Sequence, residues 1–213
     1  MMLNKLLEEI YPIRCLICGQ RGNEYLCPTC RNDIKNLESK SHFFISDFGD
    51  TIYYYGRYTK GISTLVKKLK YSKKAPAGGI IAEFLSQIIM EKFNPKPSLV
   101  VPIPISFKKL FKRGSNQCEI IGKELSLITG IKMETSFLKR RFELFEKDQV
   151  ALSKTERKEN LKSSFYIAKK ELKANSIILL DDVSTTGRTI NICKELIFEF
   201  RSDIKIYPLV FAH

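Results

Sequence analysis

Ile177–Thr189, reading IILLDDVSTTGRT, is the stretch that decides the fold. Ile177, Ile178, Leu179 and Leu180 form an unbroken apolar run, the pattern of a central strand buried on both faces. Asp181 and Asp182 follow at its carboxyl end, and Ser184, Thr185, Thr186, Gly187 and Thr189 lead into a helical pattern. In open parallel sheets, ligands gather at that edge. Hydroxyls and backbone N–H groups at a helix N-terminus suit a phosphate monoester, and a glycine at 187 lets main chain approach an anion closely. Carboxylates cannot hold phosphate. They can accept hydrogen bonds from vicinal sugar hydroxyls, directly or through a hydrated Mg²⁺. The competing reading is an ordinary strand–turn–helix with a capping Asp.

Outward from this segment the chain alternates strands and helices, which defines an α/β domain from about residue 50 to 213. The patterns predict strands at Thr51–Tyr58, Ser98–Ile103, Ser136–Arg140, Ser176–Leu180 and Ile204–Val210. They predict helices at Thr59–Tyr71, Ala77–Phe93, Ser115–Thr129, Lys154–Leu161 (with Ser153 as N-cap) and Gly187–Phe200. The last strand–helix–strand implies a parallel crossover. Residues 1–40 are set apart. Leu3, Leu6, Leu7 and Ile10 have the spacing of a short amphipathic helix, and a cysteine module follows at 14–35. Lys5, Glu8 and Glu9 interrupt any apolar leader, and no run has the length of a membrane span. A cytoplasmic location is the expectation.

Cys15, Cys18, Cys27 and Cys30 read CxxC–x8–CxxC. Each pair can offer two thiolates to one ion from a tight turn, and two such knuckles complete a tetrahedral Cys₄ site suited to structural Zn²⁺, with iron as the competitor. A module this small lacks a core of its own and is expected to need the metal to fold. Cys118 and Cys193 fall in predicted helices as small buried apolar residues.

The chain has 36 Lys and Arg against 23 Asp and Glu, a net charge of +13, in 213 residues. That surplus favours polyanions. The basic residues cluster at Lys67–Lys74, Lys108–Arg113, Lys139–Arg141 and Lys154–Lys162, and Tyr71, Phe107 and Phe111 lie among the first two clusters. Cations with interleaved aromatics suit single-stranded nucleic acid; solvated charged faces are the plainer alternative. The second cluster follows the strand VVPIP (Val100–Pro104). There Arg113 could meet a pyrophosphate, or the segment could be a charged turn.

Ile177–Thr189 resembles the 5-phosphoribosyl pyrophosphate (PRPP) motif of type I phosphoribosyltransferases. That resemblance implies that Asp181 and Asp182 meet the ribose diol and that Thr185, Thr186, Gly187, Arg188 and Thr189 wrap the 5-phosphate, with Mg²⁺ accompanying PRPP. VPIPISFKKLFKRGSNQ, carrying Arg113, Gly114, Asn116 and Gln117, resembles the ComF subgroup, as does QVALSKTERKENLKSSF with Gln149, Arg157 and Asn160. Ser115 stands where an aromatic is usual, and Ala151 where Gly is frequent. The cysteine module matches the subgroup's N-terminal zinc finger. The resemblance therefore implies a Cys₄ finger in 1–40 and a phosphoribosyltransferase-like parallel sheet flanked by helices in 50–213. It further implies PRPP or another ribose 5-phosphate as ligand, and a role in competence, single-stranded DNA uptake or DNA utilisation, with the DNA-uptake machinery as partner. An active Mg²⁺-dependent phosphoribosyltransferase is the alternative.

Overall fold

The computed structural model describes residues 12–71, 75–94, 97–142, 163–169 and 171–213. The helices expected at Leu3–Ile10 and Lys154–Leu161, with Arg157 and Asn160, fall outside them. In chain order the elements are helix α1 (Pro28–Lys35), strands β1 (Phe43–Ile45) and β2 (Thr51–Gly56), and helices α2 (Lys60–Tyr71) and α3 (Ala75–Lys92). Strand β3 (Leu99–Pro102), helices α4 (Phe107–Arg113) and α5 (Gln117–Thr129), and strands β4 (Lys132–Met133), β5 (Leu138–Arg140) and β6 (Phe165–Ile167) come next. Strand β7 (Ser176–Val183), helix α6 (Arg188–Phe200) and strand β8 (Lys205–Ala212) follow.

Strand β7 sits inside a six-stranded sheet of order β1-β2-β8-β7-β3-β4. Every pairing is parallel except β1 with β2. Ile177, Ile178, Leu179 and Leu180 are all fully buried. Their alternation divides them between two cores, because successive side chains of a strand point to opposite faces. Ile178 and Leu180 join the cluster formed with α2, α3 and α5, while Ile177 and Leu179 join Ile190, Cys193 and Ile197 of α6. Burying four such side chains contributes on the order of 1.5–3 kcal/mol each, so a charge at any of them would open a core.

Two features depart from the sequence reading. First, β7 runs three residues beyond Leu180, because β8 continues to pair with it: Asp181 aligns with Val210 and Val183 with Ala212. The acidic pair thus lies on the strand itself. Second, Lys108–Arg113 is no turn but part of α4. Ser106 caps its start by accepting from the Lys109 N–H, and Gly114 ends it in the left-handed conformation, at φ 76°.

The connections place the site. From β3 the chain passes through α5 to β4 on one side; from β7 it passes through α6 to β8 on the other. The carboxyl ends of β3 and β7 therefore flank the switch point, where an open parallel sheet leaves a crevice. The small antiparallel pair β5–β6 brings Arg140 to this edge. At the other end of the chain, Cys15, Leu16, Leu26, Cys30 and Ile34 share one buried cluster with Ile62, Leu65 and Phe84. No helix among the described residues is long and apolar enough to cross a membrane.

Candidate functional site

A cleft of ≈ 230 Å³ opens at the switch point, and Asp181, Asp182 and Thr189 face Arg113 across it. Lys70, Lys109 and Arg140 also line it, which sets four cations against two carboxylates. Three of the basic clusters of the sequence each send a member here. None of Lys70, Lys109 and Arg140 carries a motif that singles it out.

The carboxylates are held from several sides. Asp181 Oδ1 accepts from the backbone N–H of Asp182 at 2.8 Å and from the Cys118 thiol at 3.5 Å. Asp182 Oδ2 lies 2.8 Å from Lys70 Nζ. Burial, and then the charge of Asp182 alongside, push Asp181 up to about 7. Burial, and then the same two carboxylates, push the Cys118 thiol upward, so it remains a proton donor. Cys118 thus has a role beyond filling space.

Arg113 is aimed by a corner between two helices. The left-handed Gly114 ends α4, and Asn116 starts α5 by accepting from the Cys118 N–H at 3.1 Å. Asn116 also donates to the Ile103 carbonyl at 3.1 Å, which ties the corner to the end of β3. The buried Gln117 accepts from the Arg113 guanidinium at 2.7 Å. Opposite, the Arg140 guanidinium lies 5.2 Å over the ring of Phe165, an arrangement that orders the side chain without removing its charge.

The loop after β7 is less uniform than its sequence suggests. Thr189 lines the cleft; Thr185 and Thr186 are exposed, Arg188 is half-buried, and these three together with Gly187 stand outside the lining. Gly187 at the start of α6 has no side chain to cap it; Thr186 Oγ1 accepts from the Arg188 N–H at 3.4 Å, and the N–H groups of the first turn carry the electropositive character of a helix start. Gly187 has φ +78°, and a Cβ there would fall 2.5 Å from Ser46 Cβ and 2.8 Å from Ile52 Cδ1. The close neighbour that demands glycine is thus the β1–β2 hairpin. His213, without a motif in the sequence, places its ring Nδ1 3.1 Å from the Ser184 carbonyl oxygen and stacks on Phe44.

The second candidate site is the cysteine cluster. The sulfurs of Cys15, Cys18, Cys27 and Cys30 lie within 4.8 Å of one another, a grouping that could hold a metal ion. Cys18 Sγ and Cys27 Sγ are 3.8 Å apart, close to the edge of about 3.8 Å expected for a tetrahedron with ~2.3 Å metal–sulfur bonds. Gly19, at φ +78°, donates its N–H to the Cys15 carbonyl and closes the first knuckle; Cys27 and Cys30 straddle the start of α1. Burial raises the Cys15 thiol, but hydrogen bonds from the backbone of Cys18, Cys27 and Ile17 outweigh it and bring Cys15 down to about 6. Burial and the neighbouring cysteines push the Cys30 thiol the other way, since one charged sulfur opposes a second, and a bound cation would let all four take the thiolate form.

No family model matches the chain. The chain is a homologue of competence protein F of Haemophilus influenzae, at 25% identity over 217 aligned residues that cover 90% of this chain and 93% of that protein. DNA utilization protein YhgH of Salmonella typhi is 29% identical over 139 residues, 62% of this chain and 59% of that protein. The YhgH protein of Escherichia coli K12 is 24% identical over 137 residues, with the same coverage. Among solved structures, adenine phosphoribosyltransferase of Leishmania tarentolae superposes with a TM-score of 0.43 at 14% identity, over 86% of this chain and 73% of that one. The enzyme of Leishmania donovani gives 0.42 at 14%, over 84% and 65%.

The raised Asp181 has a consequence for stability. Its folded value of about 7 lies above the usual 3.8, so the folded chain holds this proton where the unfolded chain has lost it. The cost is absent below about pH 4, grows as pH rises, and is complete above about pH 7. Water at the part-buried carboxylate relieves some of it. Asp181→Asn is expected to stabilise the ligand-free protein by about 1–2 kcal/mol at pH 8 and by little at pH 4–5. Thermal melts of both proteins across that range measure this; an Asn variant less stable at pH 8 than at pH 5, relative to wild type, contradicts it.

Proposed function

We propose that the chain binds PRPP or a related ribose 5-phosphate and acts in the uptake or utilisation of DNA. The observation that carries the ligand is the acidic pair at the end of β7, facing Arg113, Lys109 and Arg140 across the β3/β7 switch point. Asp181 and Asp182 accept from the ribose hydroxyls. Thr185, Thr186, Gly187, Arg188 and Thr189, with the first N–H groups of α6, take the 5-phosphate. Arg113, Lys109 and Arg140 neutralise the second anionic group, which for PRPP is the pyrophosphate. Mg²⁺ is commonly held by one or two carboxylates together with waters and ligand phosphates; here Asp182 already holds the Lys70 ammonium, which direct ligation by the pair would have to displace. Calorimetric titration with PRPP is expected to show binding that Asp181→Asn/Asp182→Asn weakens at least about 100-fold. Unchanged binding would remove the assignment. Pyrophosphate release in the presence of a panel of bases and amines would favour phosphoribosyl transfer instead.

The relatives named for competence and DNA utilisation support the process, and α4 supports its polymer. The helix has four cations, two Phe, one Leu and no acid, and buries none of its residues. Lys109 and Arg113, one turn apart, line the cleft. Phe107 and the 83%-exposed Phe111 face solvent, with Phe142 edge-on to Phe107 at 4.6 Å. Exposed rings among cations form a stacking platform for single-stranded DNA. Phe107→Ala/Phe111→Ala is expected to cost about 1–3 kcal/mol per stacked base with little change in salt slope, whereas Lys108→Ala/Lys112→Ala should lower the slope by about 1.4. Fluorescence anisotropy with an oligothymidylate at several salt concentrations separates the two; equal effects of both pairs would refute base stacking.

For the cysteine cluster we infer structural zinc. Four thiolate donors leave no position for a substrate, so the ion's contribution is to clamp residues 15–30 onto α1. Elemental analysis is expected to give one zinc per chain, and chelation should lower the melting temperature. A visible absorbance band with stoichiometric iron would overturn the assignment.

A further inference from the structure

Among the described residues, Lys70 is the one cation in contact with the acidic pair that the ribose-phosphate reading leaves without a task. It lies at the end of α2, after Ile62, Leu65, Val66 and Leu69, all buried. That anchored face carries its side chain into the cleft, where Lys70 and Asp182 are only 18% and 11% exposed. The groups around it are Asp181, Asp182 and the Cys118 thiol on one side and Lys109, Arg113 and Arg140 on the other. Two adjacent carboxylates in a desolvated cleft require a positive charge close by. At such an edge a hydrated divalent ion is one source of that charge. Here an ammonium already stands 2.8 Å from Asp182 Oδ2.

We propose that Lys70 takes the place of a divalent cation at the acidic pair: it fixes Asp182 as an acceptor, and the cleft binds a ribose 5-phosphate without Mg²⁺. This rests on the ribose-phosphate reading of the cleft. Lys70 is a positioning residue, acting on the sugar through Asp182, and its ammonium offsets the repulsion that a phosphorylated ligand meets from the two carboxylates. Removing it leaves a pair of carboxylates in need of a counter-ion, a deficit that added Mg²⁺ can then relieve. The role therefore predicts a metal dependence that appears only in the variant.

The probe is ribose 5-phosphate, because the pyrophosphate of PRPP binds Mg²⁺ by itself and would mask the effect. The full-length protein, Lys70→Met and Lys70→Arg are titrated by calorimetry in EDTA and again in excess Mg²⁺, with thermal melts confirming that each is folded. Wild type is expected to bind with less than about a two-fold difference between the buffers. Lys70→Met should bind at least about ten-fold more weakly in EDTA and recover most of that loss in Mg²⁺, while Lys70→Arg stays within about three-fold of wild type in both. Wild-type binding that requires Mg²⁺ overturns the role of Lys70 and leaves the ribose-phosphate site standing. So does a Lys70→Met protein that binds normally in EDTA, or one equally weak in both buffers. Wild type that binds in neither buffer sinks the ribose-phosphate reading itself, and this proposal with it.

Discussion

Two neighbouring carboxylates at the end of a strand buried on both faces set the terms for the rest of this fold. Asp181 and Asp182 cannot swing into solvent, because the strand beneath them is clamped by Ile177–Leu180 in two cores and its backbone is paired with β8 as far as Val183. Their charges must be answered in place. Lys70 answers from α2, the Cys118 thiol and the Asp182 N–H from the immediate surroundings, and Arg113 and Arg140 from across the cleft. The compensation is incomplete, since Asp181 still rises to about 7. An unanswered charge in a cleft is a cost to the folded chain that a complementary ligand removes, which is how binding sites trade stability for function.

The cysteine cluster belongs to the same problem despite its position in the chain. Cys30 and Ile34 are buried on α1, and Ile34 Cδ1 comes so near Gly61 of α2 that a Cβ there would stand 2.8 Å from it. Arg31 of α1 pairs with Glu83 of α3. The finger therefore packs against α2 and α3, which share a core with Ile178 and Leu180 of β7, and Lys70 lies in the last turn of α2. A metal that locked the knuckles would hold α1, which packs on the helix that carries Lys70.

How much of this was legible in the sequence depends on whether a feature is local. The double-faced strand, the acidic pair, the helix after Gly187 and the paired cysteines are each written in consecutive residues, and the α/β architecture follows from their order. Lys70 was not legible as a site residue. It reaches Asp182 only because the fold brings the end of α2 to the end of β7, and in the chain it is one lysine among several. Helix α4 was hidden for a different reason. Periodicity reports a helix through its buried face, and α4 has none; its signals were the flanking caps, Ser106 and Gly114. At Gly187 the sequence pointed to an approaching anion, whereas the atoms that crowd it come from Ser46 and Ile52 on a hairpin remote in sequence.

Helix α4 also joins the proposed ligand to the proposed polymer. Its residues divide by side: Lys109 and Arg113 line the cleft, while Phe107, Leu110 and Phe111 stand exposed. None of the helix's own residues is buried. Its anchors are the Ser106 cap, the turn at Gly114 and the contact of Arg113 with Gln117. An anion drawn against Arg113 and Lys109 would order the helix from the inside, and a strand stacked on its rings would order it from the outside. Each ligand would then find part of the ordering cost already met by the other, and linkage requires the gain to be equal in both directions. On this view, what makes α4 unlike the other described helices, its lack of a buried face, is what lets it respond to both ligands.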